Sequence, residues 1–507
     1  MATSPNNSAI HVTGEATGFI PVTSPEGHEL KPITVIGTDD IRGTFDEATI
    51  RQARTCRAAP GVTEVVLNPD AHVGYGAPIG CVMVSPTHIY PGPVGVDIKC
   101  SMSLLQLDVP ESEIRDKKTR RALIDAIVER TPTGAGRGSR SVRKGRRIES
   151  DLGFEILTRG AAADVLERCG VPAHWSQRCE DATHTGHNGQ TAALEKRLTK
   201  HLDEHGWAGT FADKVNQLGS YGGGNHFGEA EVVRIAEGER AKSAAEAFGL
   251  RDGHVAFLSH CGSRGVGAKL ADLQFKTLGA HFAKWGIPLP GQDKHMVYAP
   301  IGSQEANDYI DDMHLGANFA TVNHMIINSL VLEAFQEVIP GCTGSLVYFI
   351  SHNIARQEHT GGAGSPMAWV HRKGATRAFP AGHPGLVGTP FEAIGHPILL
   401  PGNPADGSSV MVAEEGAKLS AYSVNHGAGR RMGRKNAART LDQGRVDRQL
   451  AELDILTNCR QYPIDEAPAA YKDFNKVLDS VKLAGLASEV ARLSARFVIK
   501  DGSEADD

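Results

Sequence analysis

The sequence predicts a mixed α/β (α+β) protein built on buried β-sheets with surrounding helices, and three features of its pattern predict this. Short, nearly continuous apolar runs recur at TEVVLN, CVMVS, SLLQLDV, HVAFLSH, SLVYFISH, PILLPG and FVIK, and read as strands covered on both faces. Longer stretches of helical periodicity separate them. Polar residues follow the apolar runs directly: Asp70 and His72 after EVVLN, His260 after HVAFLS, His352 after SLVYFIS and Gly402 after PILLP. In α/β sheets, sites gather where strands end, so this repetition points to one shared site and one catalytic domain.

In chain order, residues 1–30 are polar, contain Pro, Gly and Ser, and are expected to form a flexible N-terminal segment ahead of a catalytic domain over 31–500. ESEIRDKKTRRALIDAIVER has the first helical spacing. From 131 to 216 strand signals weaken and charge rises, which marks an insertion or subdomain containing the helical NGQTAALEKRLTKHLDEH. A long helix is expected over NDYIDDMHLGANFATVNHMIINSLVLEAFQEV, and a last one over YKDFNKVLDSVKLAGLASEVARL, with Phe474, Val477, Leu478 and Val481 as its apolar stripe. Residues 501–507, DGSEADD, form an acidic tail.

Composition narrows the class. With 507 residues, 40% hydrophobic and 6% aromatic, the chain can bury a large core. It has no apolar run long enough to span a bilayer, and its start lacks the basic and apolar regions of a signal peptide, so a cytoplasmic protein without membrane attachment is expected. The eight cysteines are scattered with no C-x-x-C pair, which argues against a disulfide framework. A net charge of -6 argues against indiscriminate polyanion binding but permits local basic patches. One is GRGSRSVRKGRR, Gly136 to Arg147, a candidate to track a phosphate backbone; a second is HRKGATRAFP, with His371, Arg372, Lys373 and Arg377.

Chemistry concentrates in a few short motifs. In YSVNHGAGRR, His426 sits among small residues that let backbone N–H groups approach a ligand, with Arg430 and Arg431 behind. An imidazole there serves as ligand, acid/base or nucleophile. PGPVGVDIKC places Asp97 and Cys100 three residues apart, SYGGGNHFGE adds His226, LSHCGSRG adds His260 with Ser263 and Arg264 as phosphate ligands, and ISHNIARQE adds His352. These are competent ligands for one or two divalent cations, without zinc-finger spacing. The thiolate's softness suits zinc, so the residues leave the metal open. No Walker motif and no dinucleotide fingerprint is present.

Taken in order, LNPDAHVGYGAPIG, PGPVGVDIKC, GGGNHFGE, SHCGSRGVG, YAPIGSQEANDYIDDMHLGANFATVN, SHNIARQE, HRKGATRAFP, PILLPG, NHGAGRRMGR and EAPAAYKDFNKVL resemble the RtcB family of GTP-dependent RNA-splicing ligases over most of the chain. The resemblance implies an RtcB-type single large catalytic domain. It implies two manganese ions, with Cys100 bridging, His260 and His352 completing one site, and Asp97 with His226 completing the other. His426 is then the nucleophile that takes GMP from the cosubstrate GTP. The guanylate passes to an RNA 3′-phosphate, a 2′,3′-cyclic phosphate being opened first, and a 5′-hydroxyl displaces GMP, in tRNA splicing or RNA repair. Guanylate contacts carry over to Asn225, His226, Phe227, Glu229, Asn353, Pro401, Gly402, Asn403, Pro404, Ser408, Gly427, Ala428, Gly429 and Lys500. The expected partners are RNA with such ends and an archease-like activator, for a chain acting as a monomer.

The chain departs from the family pattern at Ser101 after the bridging cysteine, Asn425 before His426, Gly402-Asn403-Pro404-Ala405 in the nucleotide loop and His324 after Asn323. A metal-dependent RNA-end phosphoesterase without GTP-driven ligation is the alternative that the altered loop motivates.

Overall fold

The computed structural model describes residues 9–134, 147–360 and 364–502, which form two large sheets and a helical layer. The first sheet runs in the order His11–Gly14, Thr17–Thr23, Glu29–Ile36, Glu64–His72, Ile79–Ser85, Met367–Lys373 and Asn353–His359. The second, of eight strands, runs Gly344–Ser351, Ser101–Pro110, His254–Cys261, Phe227–Ile235, Ala487–Lys500, Gly407–Ala413 and Pro397–Asn403, with Leu456–Thr457 added beside Ala487–Lys500. Pairing is antiparallel except between Glu29–Ile36 and Glu64–His72 and between Leu456–Thr457 and Ala487–Lys500.

The apolar runs are nearly continuous because both faces of these antiparallel strands are covered. Along Ser101–Pro110, Met102 and Leu104 face a core shared with Val66, Val82 and Val84 of the first sheet. Leu105, Leu107 and Val109 face the opposite core, beneath the helices. Over that core runs the 35-residue helix Gln304–Val338, started by the Ser303 side chain accepting from the Ala306 N–H. It is buried along most of its length because Lys117–Arg130, Ser150–Arg159, Thr191–Glu204 and Arg264–Trp285 all pack on it. The described part of 131–216 is helical rather than stranded, as its composition suggested.

Two expectations are corrected. The segment 1–30, expected to be flexible, contributes Thr17–Thr23 and the start of Glu29–Ile36 to the first sheet. Ile20 and Val22 are buried there, an alternation that the surrounding polar residues masked. The last helix, read through ASEVARL, stops at Leu483; the chain turns at Gly485 with φ 70°, and Ala487–Lys500 is a central strand. Pairing with Gly407–Ala413 on one side and Phe227–Ile235 on the other overrides the helical spacing. Among the described residues no helix is long and apolar enough to cross a membrane.

Candidate active site

One edge of the second sheet collects the expected ligands. The register pairs Ser351 with Ser101, Ser101 with Cys261, His260 with Phe227, and Phe227 with Lys500. Antiparallel neighbours present beginnings and ends alternately along one edge. Cys100 and His226, each just before a strand, therefore meet His260 at the end of one and His352 just after another. The carboxyl-edge rule for parallel sheets picked out His260 and His352, which this edge does collect, but what collects them is the alternation of antiparallel strands.

The side chains converge. The Cys100 sulfur lies 3.4 Å from His226 Nε2 and 3.2 Å from His260 Nε2, and His260 Nε2 lies 3.3 Å from His352 Nε2. His226 Nε2 is also 2.9 Å from Asp97 Oδ2, whose Oδ1 accepts from the Ser263 N–H at 3.1 Å. Ser263, read from sequence as a phosphate ligand, thus holds a carboxylate in place. Ligand atoms of Cys100, His226 and His260 fall within 4.8 Å of one another. Burial holds His260 and His352 well below the usual imidazole range, so both offer neutral lone pairs. Burial and the neighbouring Asp97 push the Cys100 thiol well up, so cation binding there must displace a proton. Burial raises Asp97, but the hydrogen bond and charge of His226 outweigh it and leave the carboxyl below its ordinary value. The converging donors of Cys100, His226 and His260, with His352 and the ionised Asp97 carboxylate beside them, could hold a divalent cation.

His426 stands beside this cluster, its ring 4.8 Å from that of His352. It follows the short strand Ser423–Asn425, which pairs with Ala375–Arg377. Its Nδ1 is 2.6 Å from Asp70 Oδ2 and 2.9 Å from the Gly374 carbonyl. Both partners accept, so Nδ1 carries the proton and Nε2 the lone pair. Asp70 is fixed in turn: the buried Lys472 donates to the carbonyls on either side of it, Pro69 at 2.9 Å and Ala71 at 2.7 Å. Gly429, at φ 73°, lets the chain after His426 pass against Asp70; a Cβ there would lie 2.3 Å from the Asp70 carbonyl oxygen.

A cavity of about 440 Å³ opens from His426 and His260. It is lined by Asn225, Phe227, Glu229, Pro401, Gly402, Asn403, Pro404, Ser408, Gly427, Ala428, Gly429 and Lys500, twelve of the residues expected to hold a nucleotide. Asn353 is not among them: its Oδ1 accepts from the Gly374 N–H at 2.9 Å and its Nδ2 donates to the Asp97 carbonyl at 3.3 Å, tying the turn at Gly374, whose carbonyl meets His426, to the Asp97 segment. Burial pushes the Glu229 carboxyl up to about 8, against the opposing charge of Lys500.

The cavity is also lined by His72 and Arg430, both singled out in the sequence, and by Tyr75, Arg434, Tyr462, Glu466 and Tyr471, which were not. Glu466 gathers three of them, accepting from Tyr471 at 2.6 Å and Arg430 at 3.0 Å and pairing with Arg434 at 3.6 Å, and it also pairs with Lys500 at 3.3 Å. The signal was the EAPAAYKDF motif, which supported the resemblance without indicating that its glutamate reaches the cavity.

The four departures are accommodated locally. Asn403 closes a turn on itself, accepting from Ala405 and Asp406 N–H groups at 3.0 and 3.1 Å. Asn425 donates to the Gly427 carbonyl at 2.7 Å, and the Ser101 hydroxyl donates to the Lys99 carbonyl. His324 is buried between Ser103 Oγ at 2.9 Å and the Cys261 carbonyl at 3.0 Å, and burial lowers it to about 4, so it is a neutral structural imidazole.

The HRKGATR run, expected to touch RNA, is turned inward. Arg372 pairs with Glu358 at 2.6 Å, Arg377 with Glu180 at 3.1 Å, and His371 accepts from the Tyr90 N–H at 3.0 Å. His371, Arg372 and Lys373 end a strand of the first sheet and Ala375–Arg377 form a short strand of a separate two-stranded sheet, and internal carboxylates neutralise Arg372 and Arg377 there. All of the other basic run except Arg147 lies outside the described residues.

A family model described as tRNA-splicing ligase RtcB matches residues 52–501. The chain is 33% identical over 468 residues to a tRNA-splicing ligase RtcB of Thermococcus kodakarensis, covering 90% of this chain and 91% of that one. Another tRNA-splicing ligase RtcB, of Aeropyrum pernix, is 32% identical, with 92% and 94% covered. The RNA-splicing ligase RtcB homolog 1 of Entamoeba dispar is 32% identical, with 89% and 81% covered.

Proposed function

The chain belongs to the RtcB family, and on that premise we propose that it is an RNA ligase joining 3′-phosphate or 2′,3′-cyclic phosphate ends to 5′-hydroxyl ends, with GTP as cosubstrate and two manganese ions. The observation that carries the reading is a histidine held at Nδ1 by a carboxylate, at the mouth of a nucleotide-sized cavity beside a cluster of side chains able to ligate a metal.

In the first step His426 Nε2 attacks the α-phosphorus of GTP. A P–N bond forms, the bond to the bridging oxygen breaks, and pyrophosphate leaves with the electron pair. Asp70 keeps the proton on Nδ1 and offsets the positive charge that develops on the ring. An oxygen of the RNA 3′-phosphate then attacks the α-phosphorus, and His426 regains its lone pair as the P–N bond breaks. The 5′-hydroxyl oxygen attacks the activated RNA phosphorus, loses its proton, and GMP departs. Asp97, Cys100, His226, His260 and His352 would hold the manganese, which when bound supplies positive charge against the phosphoryl oxygens. Glu229, once ionised, accepts from the guanine N1–H and amino group together. We place this chemistry in a single catalytic domain that includes the strands before residue 31, in a cytoplasmic monomer assisted by an archease-like activator, in tRNA splicing or RNA repair.

The test is incubation with α-labelled GTP and manganese, then denaturing electrophoresis and acid treatment, with His426→Ala alongside. An acid-labile label that the variant lacks is the expected result. A folded protein that takes no label with any nucleotide or metal overturns the ligase reading and leaves the phosphoesterase one.

A further inference from the structure

Tyr75 is 72% exposed, yet it lines the cavity that opens from His426. Its side chain is free while its backbone is held from several directions. The Gln52 side chain takes both backbone groups of Gly74, donating to its carbonyl at 2.6 Å and accepting from its N–H at 3.1 Å. The buried ammonium of Lys373 donates to the Tyr75 carbonyl and, at 3.1 Å, to that of Gly92. The Ala77 N–H donates to the same Tyr75 carbonyl at 2.8 Å. On one side the His295 ring lies 5.5 Å from the phenol ring, and His295 is itself braced edge-on by Phe275 at 5.4 Å.

A loop that ties down its backbone and leaves one aromatic ring in solvent spends structure on presenting that ring. A rigid aromatic face at the rim of a phosphoryl-transfer cavity suits a nucleobase, because every base has a π-face and stacking needs no sequence match. Beyond Arg430, Arg431 and Lys435 are exposed and have no carboxylate partner among the described residues, charge suited to a phosphate backbone.

We propose that Tyr75 is a stacking platform for the terminal base of the RNA end presented to His426. This rests on the ligase reading above and deepens it by naming a substrate subsite. Such a contact reads the presence of a base and not its identity, so ends of different sequence should be held alike.

The experiment is a double-mutant cycle on ligation of short single-stranded RNA by the full chain. One axis is Tyr75→Ala, with Tyr75→Phe as the conservative variant; the other is an abasic nucleotide at each reacting end in turn. Rates are normalised to the guanylylated fraction measured without RNA. Removal of the ring should raise KM for RNA by about 5- to 150-fold, with Tyr75→Phe near wild type. An abasic end should weaken wild type to a similar degree and Tyr75→Ala no further. Additive losses from ring and base, or an unchanged KM in Tyr75→Ala, overturn the platform. Failure of the wild type to take guanylate at all overturns the ligase reading instead, so the two failures are distinct.

Discussion

At His426 the position of one proton decides whether the ring can act. With Nδ1 donating to Asp70 and Gly374, Nε2 is the nitrogen left to attack in the proposed guanylylation. Asp70→Asn keeps the size of the side chain but can turn an amide donor toward Nδ1, which drives the proton to Nε2. Single-turnover guanylylation should fall by about 10²- to 10⁴-fold, with GTP affinity largely kept. A variant within a few-fold of wild type would mean that the tautomer is set by Gly374 alone. Behind Asp70, Lys472 clamps two buried carbonyls, so Lys472→Met leaves both without a donor. Stability should drop by about 1–3 kcal/mol in urea unfolding. The guanylylation rate constant should fall more than the KM for GTP rises, because what loosens is the aim of the carboxylate and not the cavity wall.

At the scale of elements, the short turn Ile464–Glu466 delivers one carboxylate to three cations and a tyrosine. Despite burial, Lys500, Arg430 and Arg434 hold the Glu466 carboxyl down at about 2, against 4.5 for an unperturbed glutamate. The folded state therefore prefers the ionised form. The contribution, on the order of 3 kcal/mol, is complete above about pH 5 and is lost as pH falls toward 2. Urea midpoints from pH 6 to pH 3 should fall more steeply for wild type than for Glu466→Gln, which starts lower; parallel curves would assign the ion network no such role. How far such elements were legible follows from the range of the interactions that make them. Strands at EVVLN or HVAFLSH declare themselves because covering both faces demands unbroken apolar sequence. Phe227–Ile235 is disguised by Glu229 and Glu231, buried carboxylates that composition alone would place on a surface. The clustered donors and His426 could be picked out because each sits in a short motif of its own. The bond from Asp70 to His426 was not, since 356 positions separate them and no local pattern encodes a partner that distant.

For the whole molecule, the candidate cation site joins segments that local folding cannot bring together. Cys100, His226, His260 and His352 approach one another only when four strands of the second sheet are in register. His352 and Asn353 also form the step from that sheet into the first, so the ligand cluster sits where the two sheets join. A cation that binds only this assembled arrangement stabilises the entire fold by mass action, about 2.7 kcal/mol at a hundredfold excess over its dissociation constant. Manganese should therefore raise the thermal midpoint of the chelator-treated protein by a few degrees as a single cooperative transition. The gain should shrink below neutral pH, because the raised Cys100 thiol must lose its proton for the metal to bind. Cys100→Ala should fold without the metal and lose most of the shift. A midpoint insensitive to manganese, cobalt and zinc in the wild type, with the Cys100→Ala curve superimposed, would mean that the five side chains are held together by their own hydrogen bonds and not as a cation site.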